Sequence, residues 1–183
     1  MFTTRRKFTT PLVAALMLGL LLIGVTACGS GNPREVEEGE VVKVGHLKYT
    51  VVFSRYLNEN DAEDTAYLVG QSPPGNEEKY FGVFLQVQNK THGTLGLVNE
   101  LWITDAEDHK YTALPSESEF AFPFGGHVTE NEAMPVDDST SQSGPIQGAV
   151  AIFKLPETVS SERPLLLHIP GPTGESGIVK IDL

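Results

Sequence analysis

From Val41 onward the apolar residues recur with a period of two, the repeat of a β-strand that buries one face. The first such segment alternates apolar Leu47, Tyr49, Val51 and Phe53 with Lys48, Thr50, Val52 and Ser54. No amphipathic helical pattern of a dozen residues occurs in this part of the chain. The alternation therefore predicts an all-β fold.

Further strand segments follow, separated by turn residues. Residues 79–89 (KYFGVFLQVQN) carry apolar residues on both faces and predict a central strand. A short strand around Leu95 and a hairpin over residues 101–111 come next, and residues 148–156, 164–169 and 177–183 predict three closing strands. Residues 58–78 and 114–146 are long irregular connections. About seven short strands over residues 41–183 predict an immunoglobulin-like antiparallel β-sandwich.

Residues 1–27 predict a signal peptide that is removed on export. A basic start precedes an apolar run at residues 12–25, which would rise about 21 Å as a helix against about 30 Å of membrane hydrocarbon. The run is therefore too short for a comfortable permanent span. Residues 4–8 (TRRKF) resemble the twin-arginine export motif, whereas the leucine-rich run favours the general secretory route.

Residues 25–28 (VTAC) resemble the bacterial lipobox. That resemblance implies a diacylglyceryl group on Cys28, which would become the mature N-terminus and anchor the chain on the extracytoplasmic face of the cell membrane. The following residues are small, polar and acidic, so residues 28–40 predict a flexible acidic tether. The expected organisation is a signal peptide, this tether and one domain over residues 41–183.

The charge balance excludes several kinds of partner. Removing the leader deletes Arg5, Arg6 and Lys7 but no acidic residue, so the formal net charge of −11 becomes −14. Nucleic acids and anionic lipid surfaces both require a basic footprint, so neither is an expected partner. Committing the sole cysteine to the anchor excludes disulfides and a blue-copper thiolate from the domain, and we expect no cofactor.

The order of these segments resembles the telokin-like, immunoglobulin-like domain of bacterial secreted lipoproteins, a largely uncharacterised family related to the mycobacterial immunoprotective extracellular protein. The resemblance rests on a Tyr-x-Val near the start, FGVFLQVQNKT, LWITDAEDHKY, GAVAIFKLP, LLLHIPG and GIVKIDL. It implies a fold and a location. In the family's Asp-x-x-Gly-x-x-Tyr hairpin, Asp105 and Tyr111 match, but Asp108 replaces the glycine.

Local catalytic motifs do not occur in the sequence. There is no G-x-S-x-G elbow, and Ser118 and Ser143 have no partner nearby in sequence. The five histidines are scattered without an HxH or HExxH pair, so surface histidines are the simpler interpretation, and a zinc site assembled only by folding stays open. Those histidines are His46, His92, His109, His127 and His168. We expect the protein not to be an enzyme.

Two acidic loops are candidates for calcium, which prefers carboxylate oxygens. Neither loop matches the EF-hand pattern, so solvated acidic turns are the simpler interpretation. The candidate ligands are Asp61, Glu63 and Asp64 in one loop and Asp105, Glu107 and Asp108 in the other.

Aromatic residues supply the candidate interaction surface. If Leu101 and Ile103 face inward, Trp102 faces outward or onto the rim of the second sheet. Phe120, Phe122 and Phe124 recur with a period of two within the irregular segment. They are either exposed binding anchors or a satellite core that covers one end of the sandwich, and the second interpretation is favoured because large apolar groups are usually buried.

These features favour an extracytoplasmic lipoprotein that binds a protein partner through loops, a sheet edge or an apolar patch. The alternative is a sensor or transport accessory that captures a small molecule or cation in a concave pocket. A third hypothesis, a secreted hydrolase, requires Ser, His and an acid to converge.

Overall fold

The computed structural model describes residues 34–181 and Met1. The signal segment, the lipobox with Cys28 and the first part of the tether therefore lie outside the described residues. Within residues 34–181, no helix combines the length and the apolar character needed to cross a membrane.

Two β-sheets pack face to face, with strands numbered here in chain order. The first sheet contains, in spatial order, β1 (Arg34–Glu37), β12 (Ser176–Ile181), β11 (Leu165–Pro170), β6 (Trp102–Thr104) and β7 (Lys110–Thr112). The second contains β10 (Ala149–Pro156), β4 (Glu78–Asn89), β3 (Leu47–Leu57) and β2 (Val41–Val44), with β9 (Ala133–Met134) beside β4. A separate pair joins β5 (Leu95–Gly96) to β8 (His127–Val128).

The inner faces of the two sheets form one apolar core, as the period of two requires. In β12, Gly177, Val179 and Ile181 are buried while the residues between them are partly exposed. Leu101 and Ile103 are both fully buried, as predicted for the hairpin that β6 and β7 form. The structure confirms an immunoglobulin-like β-sandwich, with more strands than the seven expected.

One strand lies within the segment predicted as a flexible tether. β1 pairs in parallel with β12, Arg34 opposite Gly177 and Glu37 opposite Lys180, and Val36 is buried. The tether prediction is therefore wrong for Arg34–Glu37, and the sheets are not wholly antiparallel. The sequence REVE has a single apolar residue and no periodicity, so backbone pairing at a sheet edge determines this strand.

A β-bulge corrects the predicted inward position of Phe53. The register between β3 and β4 shifts between Val51 and Phe53, so that Val52 is the extra residue. Because one added residue inverts the alternation, Ser54 is buried and Phe53 is 43% exposed.

The two long connections cover the outer face of the second sheet over β4 and β10. Residues 58–78 contain the helix α1 (Ala62–Tyr67), and residues 114–146 contain β8, β9 and the short helix α2 (Thr140–Ser143). Tyr67 from α1 packs edge-to-face on Phe84 of β4 and on Phe120, with ring centroids 5.1 and 5.0 Å apart. β4 is consequently buried on both faces, as its sequence predicted.

Candidate functional site

Large side chains remain half-exposed on the outer face of the first sheet. Trp102 of β6 lies opposite His168 of β11, which lies opposite Ile178 of β12, so the three form a row across the sheet. Leu166 is two residues along β11 on the same face, and all four side chains are partly exposed. We call these four residues the outer patch.

The centre of the outer patch is an aromatic stack. The Trp102 and His168 rings are 8° from parallel, with centroids 5.4 Å apart. The Lys110 ammonium lies 4.0 Å from the Trp102 ring centroid, a cation–π contact. His168 Nε2 is also 2.9 Å from the Thr104 hydroxyl oxygen. These contacts fix the exposed indole in one orientation, as a rigid binding anchor requires.

Charged residues border the outer patch, and on the β1 side they are of both signs, because Glu35 lies opposite Ile178. Lys110 stands on one side and Lys180, opposite Leu166, on the other. Lys180 pairs with Glu37 of the edge strand at 3.4 Å. Burial lowers the pKa of His168 below its ordinary value, and the Lys110 charge lowers it further. His168 is therefore neutral at pH 7 and stacks as an uncharged ring.

The turn of the β6–β7 hairpin is organised around a buried carboxylate. Asp105 Oδ1 accepts the backbone N–H groups of Glu107 and His109 at 2.9 and 3.0 Å. Its Oδ2 accepts the Tyr111 hydroxyl at 2.8 Å. Asp108 has φ 63°, a left-handed conformation that favours glycine and that aspartate adopts more readily than most residues.

His109 and Glu162 join Asp105 at this turn. His109 Nδ1 is 3.0 Å from Asp105 Oδ2, and Glu162 follows the 3-10 helix Glu157–Ser161. One ligand-type atom from each of the three residues lies within 4.8 Å of the others. Burial opposes ionisation of Asp105, but the hydrogen bonds from Tyr111, His109 and Glu107 outweigh it and lower its pKa. The Asp105 contact raises the pKa of His109.

The other acidic cluster is arranged around an arginine. The Arg55 guanidinium contacts both oxygens of buried Asp64, with Nη2–Oδ1 2.5 Å and Nη1–Oδ2 2.8 Å, and also lies 3.3 Å from Glu63 Oε1. Asp61 instead caps α1 by accepting the N–H groups of Glu63 and Asp64. Arg55 therefore supplies the positive charge that Glu63 and Asp64 contact, and Asp61 points to the helix end instead. The three carboxylates do not converge on a common position for a metal ion.

Of the three phenylalanines proposed as an interaction surface, Phe122 is a core residue, and Phe120 and Phe124 are partly buried against the core. Phe122 is 3% exposed in the main core, and Phe124 packs half-buried beside it with ring centroids 5.0 Å apart. Phe120 packs in the cluster under α1. Backbone hydrogen bonds between Val150 and both Phe120 and Phe122 hold this segment against β10, which explains their burial.

Two cavities bear on the hypothesis of a small-molecule site. One, about 220 Å³, opens between the sheets beside Tyr49 and Leu95 and is smaller than the roughly 300 Å³ at which ligand pockets begin. The other, about 420 Å³, lies beside Tyr80; Lys79 pairs with Glu157 at 3.2 Å on its wall, and the remaining charged residues that line it, Glu59 and Glu78, are both acidic. Ser118, a hydrolase candidate, donates its hydroxyl to the Ala66 carbonyl.

Sequence reasoning placed Trp102 outward but missed the rest of the outer patch. The missed signal is local, because in PLLLHI the buried Leu165, Leu167 and Ile169 leave Leu166 and His168 on the opposite face. The meeting of Glu162 with Asp105 and His109 left no local signal, because more than fifty residues of chain separate them.

The two sheets, the core between them and the exposed face of the first sheet define an immunoglobulin-like β-sandwich protein. Among solved structures, the yjhA protein of Bacillus subtilis aligns over 80% of this chain and 99% of its own, with 15% identity and a TM-score of 0.56. The ycdA protein of Bacillus subtilis, designated a lipoprotein, aligns over 80% of this chain but 39% of its own, with 11% identity and a TM-score of 0.50.

The secreted protein MPT63 of Mycobacterium tuberculosis also aligns, over 83% of this chain and 100% of its own, with 10% identity and a TM-score of 0.47. At such identities the likeness shows the fold alone. No family model matches the chain, and no curated protein matches it.

Proposed function

We propose that the chain is a membrane-anchored extracytoplasmic lipoprotein whose domain binds a protein partner through the outer patch and performs no catalysis. The observation that carries this proposal is the half-exposed Trp102 ring, stacked on His168 at the centre of a sheet face. On the second sheet, α1 and residues 114–146 cover the outer faces of β4 and β10, while Val52 and Phe53 of β3 stay exposed; the outer patch differs from them by its stacked aromatic pair.

The outer patch has the composition of an interface centre. Tryptophan is enriched among residues that dominate binding energy, and apolar neighbours exclude water around it. Leu166 and Ile178 supply that apolar surface, and Lys110 supplies a positive charge at the β7 side, whereas Lys180 pairs with Glu37 at the β1 side. The complementary partner surface is therefore apolar at its centre and acidic where it meets Lys110.

The lipobox resemblance supports the anchor, and the lipoprotein designation of ycdA agrees with it. The described domain begins at Arg34, six residues after Cys28, and six residues span at most about 20 Å when extended. A lipid on Cys28 would hold the end of the sandwich where Arg34 pairs with Gly177 close to the membrane. The hairpin turn at Asp105 would then lie at the distal end, beside Glu162 and away from the tether.

Metabolic labelling with a palmitate analogue tests the anchor. We expect label and membrane retention in the wild-type chain and loss of both in Cys28→Ala. Equal labelling or equal retention of the two chains would contradict lipid attachment at Cys28.

Replacing Arg5 and Arg6 by lysine distinguishes the two export routes, because the change would block only twin-arginine export.

Site-specific photo-crosslinking in intact cells tests the patch. A photoreactive residue at position 104, beside the outer patch, should give adducts that Trp102→Ala abolishes. The same residue at position 52, on the outer face of the other sheet, is the matched control because Val52 is 38% exposed. Equal adducts from both positions, or adducts that survive Trp102→Ala, would contradict binding through this face.

A further inference from the structure

Three side chains that could bind a metal meet beside the outer patch, at the turn between β6 and β7. Asp105 and His109 come from that turn, and Glu162 comes from the end of the 3-10 helix Glu157–Ser161. Their ligand-type atoms all lie within 4.8 Å of one another. This cluster differs from the other acidic loop because it includes an imidazole, whereas in the other loop Arg55 already contacts Glu63 and Asp64.

The carboxylate at the centre of the cluster is held in place before any ligand arrives. The Asp105 side chain is fully buried, and three donors fix its orientation: the Glu107 and His109 N–H groups and the Tyr111 hydroxyl. Such supporting hydrogen bonds orient metal-binding carboxylates and increase affinity.

The segment that carries Glu162 is also fixed relative to the hairpin. The Ala106 N–H donates to the Glu162 carbonyl at 3.0 Å, and the Glu162 N–H donates to the Val159 carbonyl at 3.1 Å. Val159 is fully buried and anchors the 3-10 helix in the core. Both segments thus present their ligands from rigid backbone, and a cation would not need to reorganise the main chain.

The donor set indicates the class of cation. One imidazole nitrogen and two carboxylates suit zinc and its first-row neighbours, whereas calcium requires six to eight oxygens. His109 Nδ1 and Asp105 Oδ2 are 3.0 Å apart, a separation that two ligands at about 2.1 Å from one ion can adopt. His109 and Glu162 border an open depression of about 450 Å³, which leaves space for water or a partner's side chain on the ion.

We propose that Asp105, His109 and Glu162 form a binding site for a divalent transition-metal cation such as zinc, with coordination positions open toward the depression beside Lys110 and Tyr111. The ion would replace the hydrogen between His109 and Asp105 and would bridge the hairpin to the 3-10 helix. This site replaces the calcium hypothesis for Asp105 and Asp108, because Asp108 lies outside the cluster. The inference does not depend on the partner proposed for the outer patch.

Isothermal titration with zinc chloride tests the site. Every protein carries Cys28→Ala in the full-length chain, because a free thiol would itself bind zinc. We expect one zinc per chain and a loss of affinity of at least about tenfold in His109→Ala and in Glu162→Gln. The matched control is His92→Ala, because His92 forms an exposed pair with Glu130 at 2.9 Å and should bind zinc as the unchanged chain does.

NMR spectroscopy provides a second test that requires no substitution of Asp105, His109 or Glu162. Zinc should shift the NMR signals of the His109 ring and leave those of His92 in place, while 1 mM calcium should shift neither. Thermal unfolding followed by circular dichroism should show that the variants are folded. Absence of zinc binding, unchanged affinity in His109→Ala and Glu162→Gln, or an equal loss in His92→Ala would each overturn the proposal.

Discussion

Trp102 and His168 lie opposite each other on the antiparallel strands β6 and β11, and their rings stack with centroids 5.4 Å apart. This contact joins the hairpin of β6 and β7 to the closing strands of the chain. It also couples an aromatic anchor to a titratable ring, because the indole covers one face of the imidazole. Burial and the nearby Lys110 charge both favour the neutral form of that imidazole.

The pKa of His168 should therefore be measurable below the ordinary histidine value of about 6.5. The unfolded chain takes up this proton at a higher pH than the folded chain. The contribution of His168 to stability should consequently fall as the pH drops from about 6.5 to its folded-state pKa. Lys110→Gln should raise the pKa of His168 toward the ordinary value. NMR titration of the His168 ring in the wild-type chain and in Lys110→Gln measures both pKa values. A wild-type pKa at or above 6.5 would contradict the prediction.

Replacing Phe122 by Ala should destabilise the domain by about 3–4 kcal/mol, because the change removes a buried ring and leaves a cavity. The matched control is Phe53→Ala, which removes the same atoms from a side chain that is 43% exposed at the bulge. That control should cost less than about 1 kcal/mol. Urea unfolding of both variants measures the difference, and equal losses would contradict the assignment of Phe122 to the core.

Gly177→Ala should cost about 1–3 kcal/mol by overpacking the contact between the two sheets. A Cβ at this position would lie 2.6 Å from Val42 Cγ2 and 2.8 Å from Val44 Cγ2. Val42→Ala should recover part of the loss, because it removes the nearer methyl group. Gly96→Ala is the control, since nothing lies within 4 Å of a Cβ there. Thermal unfolding that ranks Gly96→Ala with Gly177→Ala would argue against close approach of the sheets.

Arg55→Met should destabilise the domain by about 2–3 kcal/mol, because it leaves the buried Asp64 carboxylate without its countercharge. The estimate is below that for a fully buried pair because the Arg55 side chain is 28% exposed. A double-mutant cycle with Asp64→Asn should give a coupling of about 1–2 kcal/mol. Additive effects of the two substitutions would show that the pair does not hold α1 against β3.

Much of the fold could be predicted because strand alternation is a local property. Apolar runs bounded by Gly or Pro predicted β10, β11 and β12, a polar turn predicted the hairpin of β6 and β7, and the period of two predicted β3 and β4. It failed at Phe53, where a single bulged residue inverted the alternation, and at β1, where REVE carries no alternation to detect. Both failures occur where backbone pairing with another strand, rather than side-chain pattern, determines the structure.

Some features of the candidate sites follow from the local sequence, and others depend on tertiary contacts. The sequence by itself determined that Trp102 lies opposite in direction to Leu101 and Ile103, because successive side chains of a strand point to opposite faces. Only the tertiary structure decided that Phe122 is buried, that His168 and Ile178 extend the Trp102 surface, and that Glu162 meets Asp105 and His109. Those outcomes depend on which sheet face the long connections cover and on contacts between distant segments. A period of two specifies which residues share a face, but packing between segments decides whether that face meets solvent, core or another side chain.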